Sequence, residues 1–189
     1  MIKKILNNNT LRMITALTVV GIFSGAVLVL VHNYTVPKIE ANKTKETETA
    51  IKEIFPSAAK IAETVYPGVF KITGHGGTPG GYAFIAAGNG YQGEIKMIVG
   101  VDAEMTTMLG MQVLESQETP GLGAEIVGSA FRDQFKGLSL AQPITYIKNQ
   151  KPEKPGQIEA ITGATISSKA VVNTLNKRIE QIRKKVKDK

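Results

Sequence analysis

The residues of this chain with the clearest capacity for chemistry are clustered near its C-terminus. Four hydroxyl-bearing side chains fall within seven positions: Thr162, Thr165, Ser167 and Ser168. Gly163 and Ala164 separate the two threonines, and both are small enough to let a ligand approach the backbone. Because a threonine hydroxyl can form a phosphoester, the cluster is a candidate attachment site for a phosphate-linked group.

The element that must position this cluster is a helix that follows it directly. Apolar residues recur there at spacings of three and four, as on one helix face: Ile166, Ala170, Val171, Leu175, Ile179, Ile182 and Val186. Ser167 and Ser168 are expected to cap its start, because hydroxyls accept hydrogen bonds from unpaired first-turn N–H groups. A phosphate on Thr165 would face the positive end of the helix dipole. The same residues are also compatible with a plain polar turn and helix cap.

Residues 159–165 (EAITGAT) resemble the flavinylation motif found in the G subunit of Rnf complexes and in the C subunit of the sodium-pumping NADH:quinone reductase. That motif reads roughly Asp-x-x-Ser/Thr-Gly-Ala-Thr, and its last threonine accepts flavin mononucleotide (FMN) through the phosphate. The resemblance implies that Thr165 carries one covalent FMN. Three residues would shape the acceptor turn: Thr162, Gly163 and Ala164. Three hydroxyls remain alternative acceptors: Thr162, Ser167 and Ser168. The acidic position holds Glu159, one methylene longer than the usual Asp.

Two further stretches resemble the same family. Residues 118–123 (ETPGLG) match a loop of these flavoproteins, and residues 90–95 (GYQGEI) match a Gly-Tyr-x-Gly turn that precedes a strand. Thr-Pro-Gly predicts a turn, and its glycines would let backbone amides approach a flat ring. The resemblance places five loop residues near the cofactor: Glu118, Thr119, Gly121, Leu122 and Gly123. Taken alone, each stretch would be an ordinary surface turn.

The N-terminal part of the chain is typical of a membrane anchor. From Met13 to Val31 there are nineteen residues without a charge, close to the ~20 that a helix needs to cross a bilayer. We therefore predict a transmembrane signal anchor over 13–34. A cleaved signal peptide is the alternative, although the small residues Ser24-Gly25-Ala26 lie inside the apolar run rather than after it.

The charges flanking this segment predict its orientation. Lys3, Lys4 and Arg12 precede it without an acid, whereas basic and acidic residues are nearly balanced after it. Because the cytoplasmic side carries the excess of Lys and Arg, we expect residues 1–12 to be cytoplasmic. The domain after the segment would then be extracytoplasmic, anchored in the cell (inner) membrane.

The net charge of +7 resides in the two ends of the chain. The first 37 residues hold three basic and no acidic groups, and residues 177–189 hold seven basic and two acidic groups. The region between them has 13 basic and 14 acidic residues, so it lacks the basic stripe of a nucleic-acid-binding domain. We predict no nucleic-acid partner. The absence of cysteine excludes disulfides, cysteine-ligated zinc and thiolate-ligated iron–sulfur clusters.

The remaining sequence predicts one α+β domain. We expect a connector helix over 35–55, an FMN-binding domain over 56–176 and a basic helix end over 177–189. Strands are predicted from alternating or apolar runs: 68–72, 82–87, 94–101, 111–115 and 144–147. A helix is expected over 124–135. Together these elements predict a mainly antiparallel sheet with flanking helices.

Other groupings predict no catalytic or metal site. The glycine-rich residues 74–81 lack the context of a nucleotide-binding loop and are expected to form a turn. His32 and His75 are far apart and unaccompanied, which makes them poor metal or haem ligands. Three acids have no spacing that suggests catalysis and are expected to be surface or loop groups: Glu115, Glu118 and Asp133.

The family resemblance, which covers about Pro56 to Leu175 and the anchor helix, implies a function. The chain would be one component of an Rnf-type ion-translocating oxidoreductase, inactive alone, in a complex that couples electron transfer between ferredoxin and NAD⁺ to Na⁺ or H⁺ movement. Its partners would be the other subunits, the membrane, and a flavin transferase that uses FAD and Mg²⁺. Two alternatives remain: an anchored flavoprotein of another extracytoplasmic electron chain, or a non-redox anchored binding module.

Overall fold

The computed structural model describes residues 8–187, which fall into two units that divide at Lys45/Glu46. A single helix, α1, runs from Asn8 to Ile54 over 47 residues and contains Pro37. The connector predicted for 35–55 is thus the C-terminal part of the same helix rather than a separate element. The helix ends at Ile54, two residues before Pro56, because the proline ring disfavours helical geometry in Phe55, the residue that precedes it.

The N-terminal part of α1 is apolar and exposed. By length and composition it can cross a membrane, and its large side chains, such as Leu17 and Leu28, are exposed. Two threonines in this stretch direct their hydroxyls back to the helix backbone: Thr15 to Leu11 O and Thr18 to Ile14 O, each at 2.9 Å. Because these hydroxyls are satisfied internally, they add little cost to burial in lipid.

The second unit is built on a six-stranded antiparallel sheet in which every strand pairs with its neighbour in the chain. The strands are β1 (Ala58–Glu63), β2 (Val69–Gly74), β3 (Pro79–Asn89), β4 (Glu94–Val101), β5 (Thr107–Ser116) and β6 (Leu138–Ser139). The predicted antiparallel α+β fold is therefore confirmed. Two of these strands, β1 and β6, were not predicted.

The segment between β5 and β6 is helical but not continuous. A 3₁₀ helix over Gly123–Val127 is followed by the short α2 (Ser129–Arg132) and a second 3₁₀ helix over Asp133–Phe135. The single helix predicted over 124–135 is therefore wrong. Gly128 interrupts it with extended backbone (φ −67°, ψ 147°). Ile126, Phe131 and Phe135 are still buried in the core.

The C-terminal elements are a two-stranded parallel sheet and a long helix. β7 (Thr145–Lys148) pairs with β8 (Gln157–Ala160), and α3 runs from Thr165 to Lys187. One face of the large sheet packs on α3, in a core that includes Phe84, Met97 and Leu175. The other face packs on Ile51, near the end of α1, and on Phe55, the residue that follows the helix. The sheet is thus covered on both faces, and α3 packs along one of them.

Candidate functional site

The start of α3 fixes the position of Thr165. After β8 ends at Ala160, a tight turn forms in which the Ala164 N–H donates to Ile161 O at 3.0 Å. Gly163 takes a φ of +81° in this turn, a conformation that other residues adopt with strain. Thr165 follows as the first residue of the 23-residue helix, so its hydroxyl lies at the helix N-terminus.

The two serines of the cluster do not cap α3 as predicted. Ser168 is fully buried; its Oγ accepts from the Ile161 N–H at 3.0 Å and donates to Ala164 O at 3.1 Å. Ser167 is 2% exposed and bonds outside the helix. The prediction fails because α3 begins at Thr165, which places both serines inside the first turn. Thr165 itself is partly exposed.

Glu118 connects the three sequence stretches singled out above. Its carboxylate accepts hydrogen bonds from the N–H groups of Tyr91 and Gln92 at 2.8 and 2.9 Å, and from Ser167 Oγ at 2.5 Å. The side chain is only 6% exposed. Glu118 lies in a loop, as expected, but it is not a surface group. Three donors satisfy its charge in a buried position.

These donors also set the ionisation of Glu118. Burial by itself raises the pKa of a carboxyl group. Hydrogen bonds from Ser167 and from the Gln92 and Tyr91 N–H groups outweigh it, and the pKa of Glu118 lies below its usual range. Glu118 is therefore a fixed negative charge whose oxygens are occupied by the protein itself.

Two glycines pack directly against this carboxylate. A Cβ placed on Gly90 would collide with Glu118 Oε1, and one on Gly123 would collide with Glu118 Oε2 and with Ser167 Oγ. Neither contact leaves room for a methyl group. The close approach of backbone to Glu118 thus explains the first glycine of the Gly-Tyr-x-Gly turn, Gly90, and the last glycine of the ETPGLG loop, Gly123.

The ETPGLG loop is folded so that Leu122 reaches the turn before α3. The N–H groups of Leu122 and Ala124 both donate to Thr119 O, while Gly121 has a φ of +73°. The Leu122 side chain is 50% exposed, and its Cδ2 lies 3.5 Å from the position of a Cβ on Gly163. An apolar surface therefore lies beside the small residues of the turn.

These elements enclose a cavity of about 430 Å³ at the start of α3. Ten residues line it: Tyr91, Glu118, Thr119, Leu122, Gly123, Gly163, Ala164, Thr165, Ile166 and Ser167. Seven of the nine predicted site residues are among them. Thr162 and Gly121 are not; the Thr162 hydroxyl donates instead to Asn149 Oδ1 at 3.1 Å.

The cavity fits the group that the sequence resemblance implies. Its volume lies within the ~300–1,000 Å³ of typical small-molecule sites. The first three N–H groups of α3 have no carbonyl of the preceding turn to bond, which suits a phosphate on Thr165. Leu122 and Tyr91 can flank a flat ring. Among the residues described, no cluster of His, Asp and Glu is arranged to hold a metal.

Two amide side chains that support the site escaped the sequence analysis. The Gln134 amide accepts from the Glu159 N–H at 2.6 Å and donates to Glu159 O at 3.3 Å. The Asn176 amide pairs in the same way with the N–H and C=O of Ile144, each at 2.8 Å. The Gln134 amide thus fixes the backbone of β8 at Glu159, and the Asn176 amide fixes the backbone of Ile144, the residue before β7. An isolated amide carries no local sequence signal, so neither role could have been predicted.

Comparison with known proteins agrees with this geometry. The sequence profile of the family described as "FMN-binding domain" matches residues 90–180, which include the whole cavity lining. Among solved structures, the fold is similar to NqrC of Shewanella oneidensis (TM-score 0.55, 20% identity, 64% of this chain and 65% of that one). It is also similar to the C subunit of the Na⁺-translocating NADH-quinone reductase of Parabacteroides distasonis (TM-score 0.52, 30% identity, 58% and 57%). Each match covers less than two thirds of the solved chain.

Relatives of similar length give the family. The chain is 32% identical to the G subunit of the ion-translocating oxidoreductase complex of Methanosarcina acetivorans, over 90% of this chain and 93% of that protein. It is 30% identical to the G subunit of the Na⁺-translocating ferredoxin:NAD⁺ oxidoreductase complex of Acetobacterium woodii, over 87% of both. The resemblance found in the sequence is confirmed: the chain belongs to the family of G subunits of ion-translocating oxidoreductase complexes.

Proposed function

We propose that this chain is the membrane-anchored G subunit of an Rnf-type complex and carries electrons through one FMN joined covalently to Thr165. The observation that supports the attachment point most directly is the contrast among the four hydroxyls. Thr165 is partly exposed on the cavity wall, whereas Ser167 and Ser168 are buried and hydrogen-bonded. Thr162 is exposed but lies outside the cavity lining.

The residues of the cavity have distinct tasks in this proposal. The free N–H groups at the start of α3 bind the phosphate, and the ester at Thr165 keeps the flavin at high effective concentration beside its pocket. Leu122 and Tyr91 flank the ring. Glu118 holds the 90–93 turn and α3 together, so the pocket keeps one shape. The bound FMN supplies the redox chemistry, and the protein orients it and sets its electrostatic surroundings.

Placement in the membrane follows from α1. The relatives are subunits of ion-translocating complexes, and α1 is long and apolar enough to anchor the chain beside such subunits. We place the N-terminus in the cytoplasm and the FMN domain outside it. A flavin transferase would attach the FMN there, and the complex would couple ferredoxin:NAD⁺ electron transfer to ion movement.

Intact mass and in-gel flavin fluorescence of the chain from its native host test the attachment. Wild type is expected to show the mass of one added FMN less a water, and Thr165→Ala none. Thr162→Ala, the matched control in the same turn, is expected to keep both mass and fluorescence. Flavin that persists on Thr165→Ala would contradict the assignment of the acceptor. A wild type without added mass would refute the covalent carrier.

Single cysteines test the orientation, since the chain has none of its own. Asn9→Cys and Lys60→Cys change two exposed residues on opposite sides of the apolar run. In intact cells a membrane-impermeant maleimide is expected to label only Lys60→Cys. Labelling of Asn9→Cys alone would show that the orientation is the opposite of the one proposed. Co-purification of the tagged chain with the other subunits separates an Rnf-type complex from an independent anchored flavoprotein.

A further inference from the structure

A groove distinct from the flavin cavity lies between β3 and the middle of α3. Its volume is about 580 Å³. One wall is formed by the end of β3, residues 85–89, and the other by residues 173–181 of α3; Pro67 and Gly68 close one end. Thr174 touches β3 at Gly88, where a Cβ would collide with its hydroxyl. Nothing in the proposed flavin chemistry uses this groove.

The groove lies along a part of β3 that β2 leaves uncovered. β2 pairs with β3 only as far as Val69 opposite Phe84. One more hydrogen bond follows, from the Ile85 N–H to Gly68 O at 2.8 Å. The chain then turns away at Gly68, which has a φ of +70°. In the part of the chain that the structure describes, the rest of β3, to Asn89, pairs with β4 alone.

The unpaired backbone groups of β3 point into this groove. The Ile85 N–H bonds Gly68, and Ile85 O accepts from Arg178 Nε at 2.9 Å, so both groups of Ile85 point away from β4. Alternate residues of an antiparallel strand direct these groups to the same side. Ala87 and Asn89 therefore present their N–H and C=O groups to the groove, and both residues are exposed.

The opposite wall is positively charged. Lys177 and Arg178 both line the groove, and Lys177 is exposed. Among the described residues that line it, none is Asp or Glu. Glu63 binds the Gly68 N–H at 2.8 Å beside the closed end but is not part of the lining. An occupant that carries negative charge would thus meet two cations and no acid.

We propose that this groove binds a short, extended, acidic segment of a partner protein, which pairs with Ala87–Asn89 as an added strand. The segment would lie beside β3 in the position that β2 would occupy if it extended beyond Gly68. Its main chain would satisfy the open groups of β3, and its carboxylates would face Lys177. Three residues of strand span about 10 Å, so the paired segment is short and charge supplies much of the recognition. The binding does not require a flavin on Thr165.

Hydrogen–deuterium exchange of the full-length chain tests the pairing. The amides of Ala87 and Asn89 are followed in three samples: the detergent-purified chain, the chain in protein-free vesicles of the host's lipids, and the chain in native membranes. The expected result is at least tenfold slower exchange at both amides in native membranes only. Lys177→Glu is expected to abolish this protection. Lys136→Glu makes the same charge change at an exposed residue outside the groove and is expected to retain it.

A proline variant separates strand pairing from charge attraction. Ala87→Pro removes the N–H that faces the groove and leaves the hydrogen bonds to β4 in place, as at an open sheet edge. Exchange at Asn89 in native membranes is then expected to return to the rate of the purified chain. Equal rates in purified and native samples would overturn the proposal. Protection in the protein-free vesicles would also overturn it, since the groove would then bind lipid. Intact mass is measured on the same samples and reports flavin attachment, so a failure of the proposed function can be distinguished from a failure of binding in the groove.

Discussion

Ser167 and Glu118 are 49 positions apart in the sequence, yet the Ser167 hydroxyl donates a 2.5 Å hydrogen bond to the Glu118 carboxylate. Both side chains are buried, at 2% and 6% exposed. The bond joins the first turn of α3, which carries Thr165, to the loop that forms the facing wall of the cavity. The start of α3 and the facing wall of the cavity are therefore parts of one hydrogen-bonded unit.

Removal of this bond is expected to change the pH dependence of stability. The pKa of Glu118 lies below its ordinary value of 4.5, so the stability that it contributes is present above pH 4.5 and is lost as the pH falls through the folded-state pKa. Ser167→Ala removes the hydrogen-bond donor that lowers this pKa most. We expect a raised Glu118 pKa and, at pH 7, a loss of about 1.5–3 kcal/mol of unfolding free energy. Urea unfolding from pH 3 to 7 measures the loss of stability.

An NMR titration of the Glu118 carboxyl carbon measures the pKa in wild type and in Ser167→Ala. Ser139→Ala is a suitable control, because the Ser139 hydroxyl accepts a long hydrogen bond of 3.4 Å from the nearby Ala141 N–H and lies outside the cavity lining. An unchanged Glu118 pKa in Ser167→Ala would show that the serine does not hold the carboxylate.

Gly123→Ala is expected to damage the pocket more than the size of a methyl group suggests. The new Cβ would enter the space between Glu118 and Ser167, and overpacking of this kind costs about 1–3 kcal/mol. The measurements are the melting temperature and the fraction of chain that carries FMN, both of which should fall.

Gly121→Asn is the control for that variant. The space around Gly121 is open, and asparagine tolerates its φ of +73°. The Gly121→Asn variant should therefore retain the stability and the bound flavin of wild type. If Gly123→Ala bound flavin as well as Gly121→Asn, the close packing around Glu118 would not matter for the site.

Local sequence patterns predicted much of the sheet and failed where the pattern was weak. Most of β4 is buried, and its uncharged run from Met97 to Val101 predicted the strand correctly. β1 has no residue fully buried, which leaves no alternation to detect. The segment over 124–135 shows a helical spacing of apolar residues, but the extended backbone of Gly128 divides it. A helical spacing of apolar residues indicates that a segment packs on the core, but it does not show that the backbone forms one continuous helix.

The site was predictable only as far as its motifs reach. The spacing around Thr165 and the family resemblance singled out the turn before α3, and Gly163, Ala164 and Thr165 line the cavity. The role of Thr165 as FMN acceptor stays a prediction. The role of Glu118 was missed because its partners lie 26, 27 and 49 positions away and meet it only in the folded chain. Gln134 and Asn176 escaped for the same reason. Each binds the backbone of a residue 25 or 32 positions away, and main-chain groups carry no sequence signal.

Asn176→Ala is expected to destabilise the C-terminal elements. The Asn176 side-chain amide takes the place of a strand partner for Ile144, with which it forms two hydrogen bonds of 2.8 Å. The alanine variant loses both bonds, which leaves the N–H and C=O groups of Ile144 unpaired in a half-buried site. A decrease of about 1–3 kcal/mol in the free energy of unfolding is expected, measured by urea denaturation. Asn173→Ala, one helical turn earlier and exposed, should stay close to wild type. Equal stability of the two variants would show that water replaces the Asn176 bonds without cost.

Glu159→Asp is expected to speed flavin attachment. The Gln134 amide holds the backbone of Glu159 at both its N–H and its C=O, so β8 cannot shift to compensate for side-chain length. Shortening the side chain by one methylene, about 1.5 Å, brings the carboxylate to the position that the motif of the G-subunit family uses. A time course of FMN attachment by purified flavin transferase, FAD and Mg²⁺ should be faster for Glu159→Asp than for wild type and slower for Glu159→Gln. Glu153→Asp makes the same change in an exposed loop residue and should leave the rate unaltered. Equal rates for Asp, Glu and Gln at position 159 would show that the transferase does not read this charge.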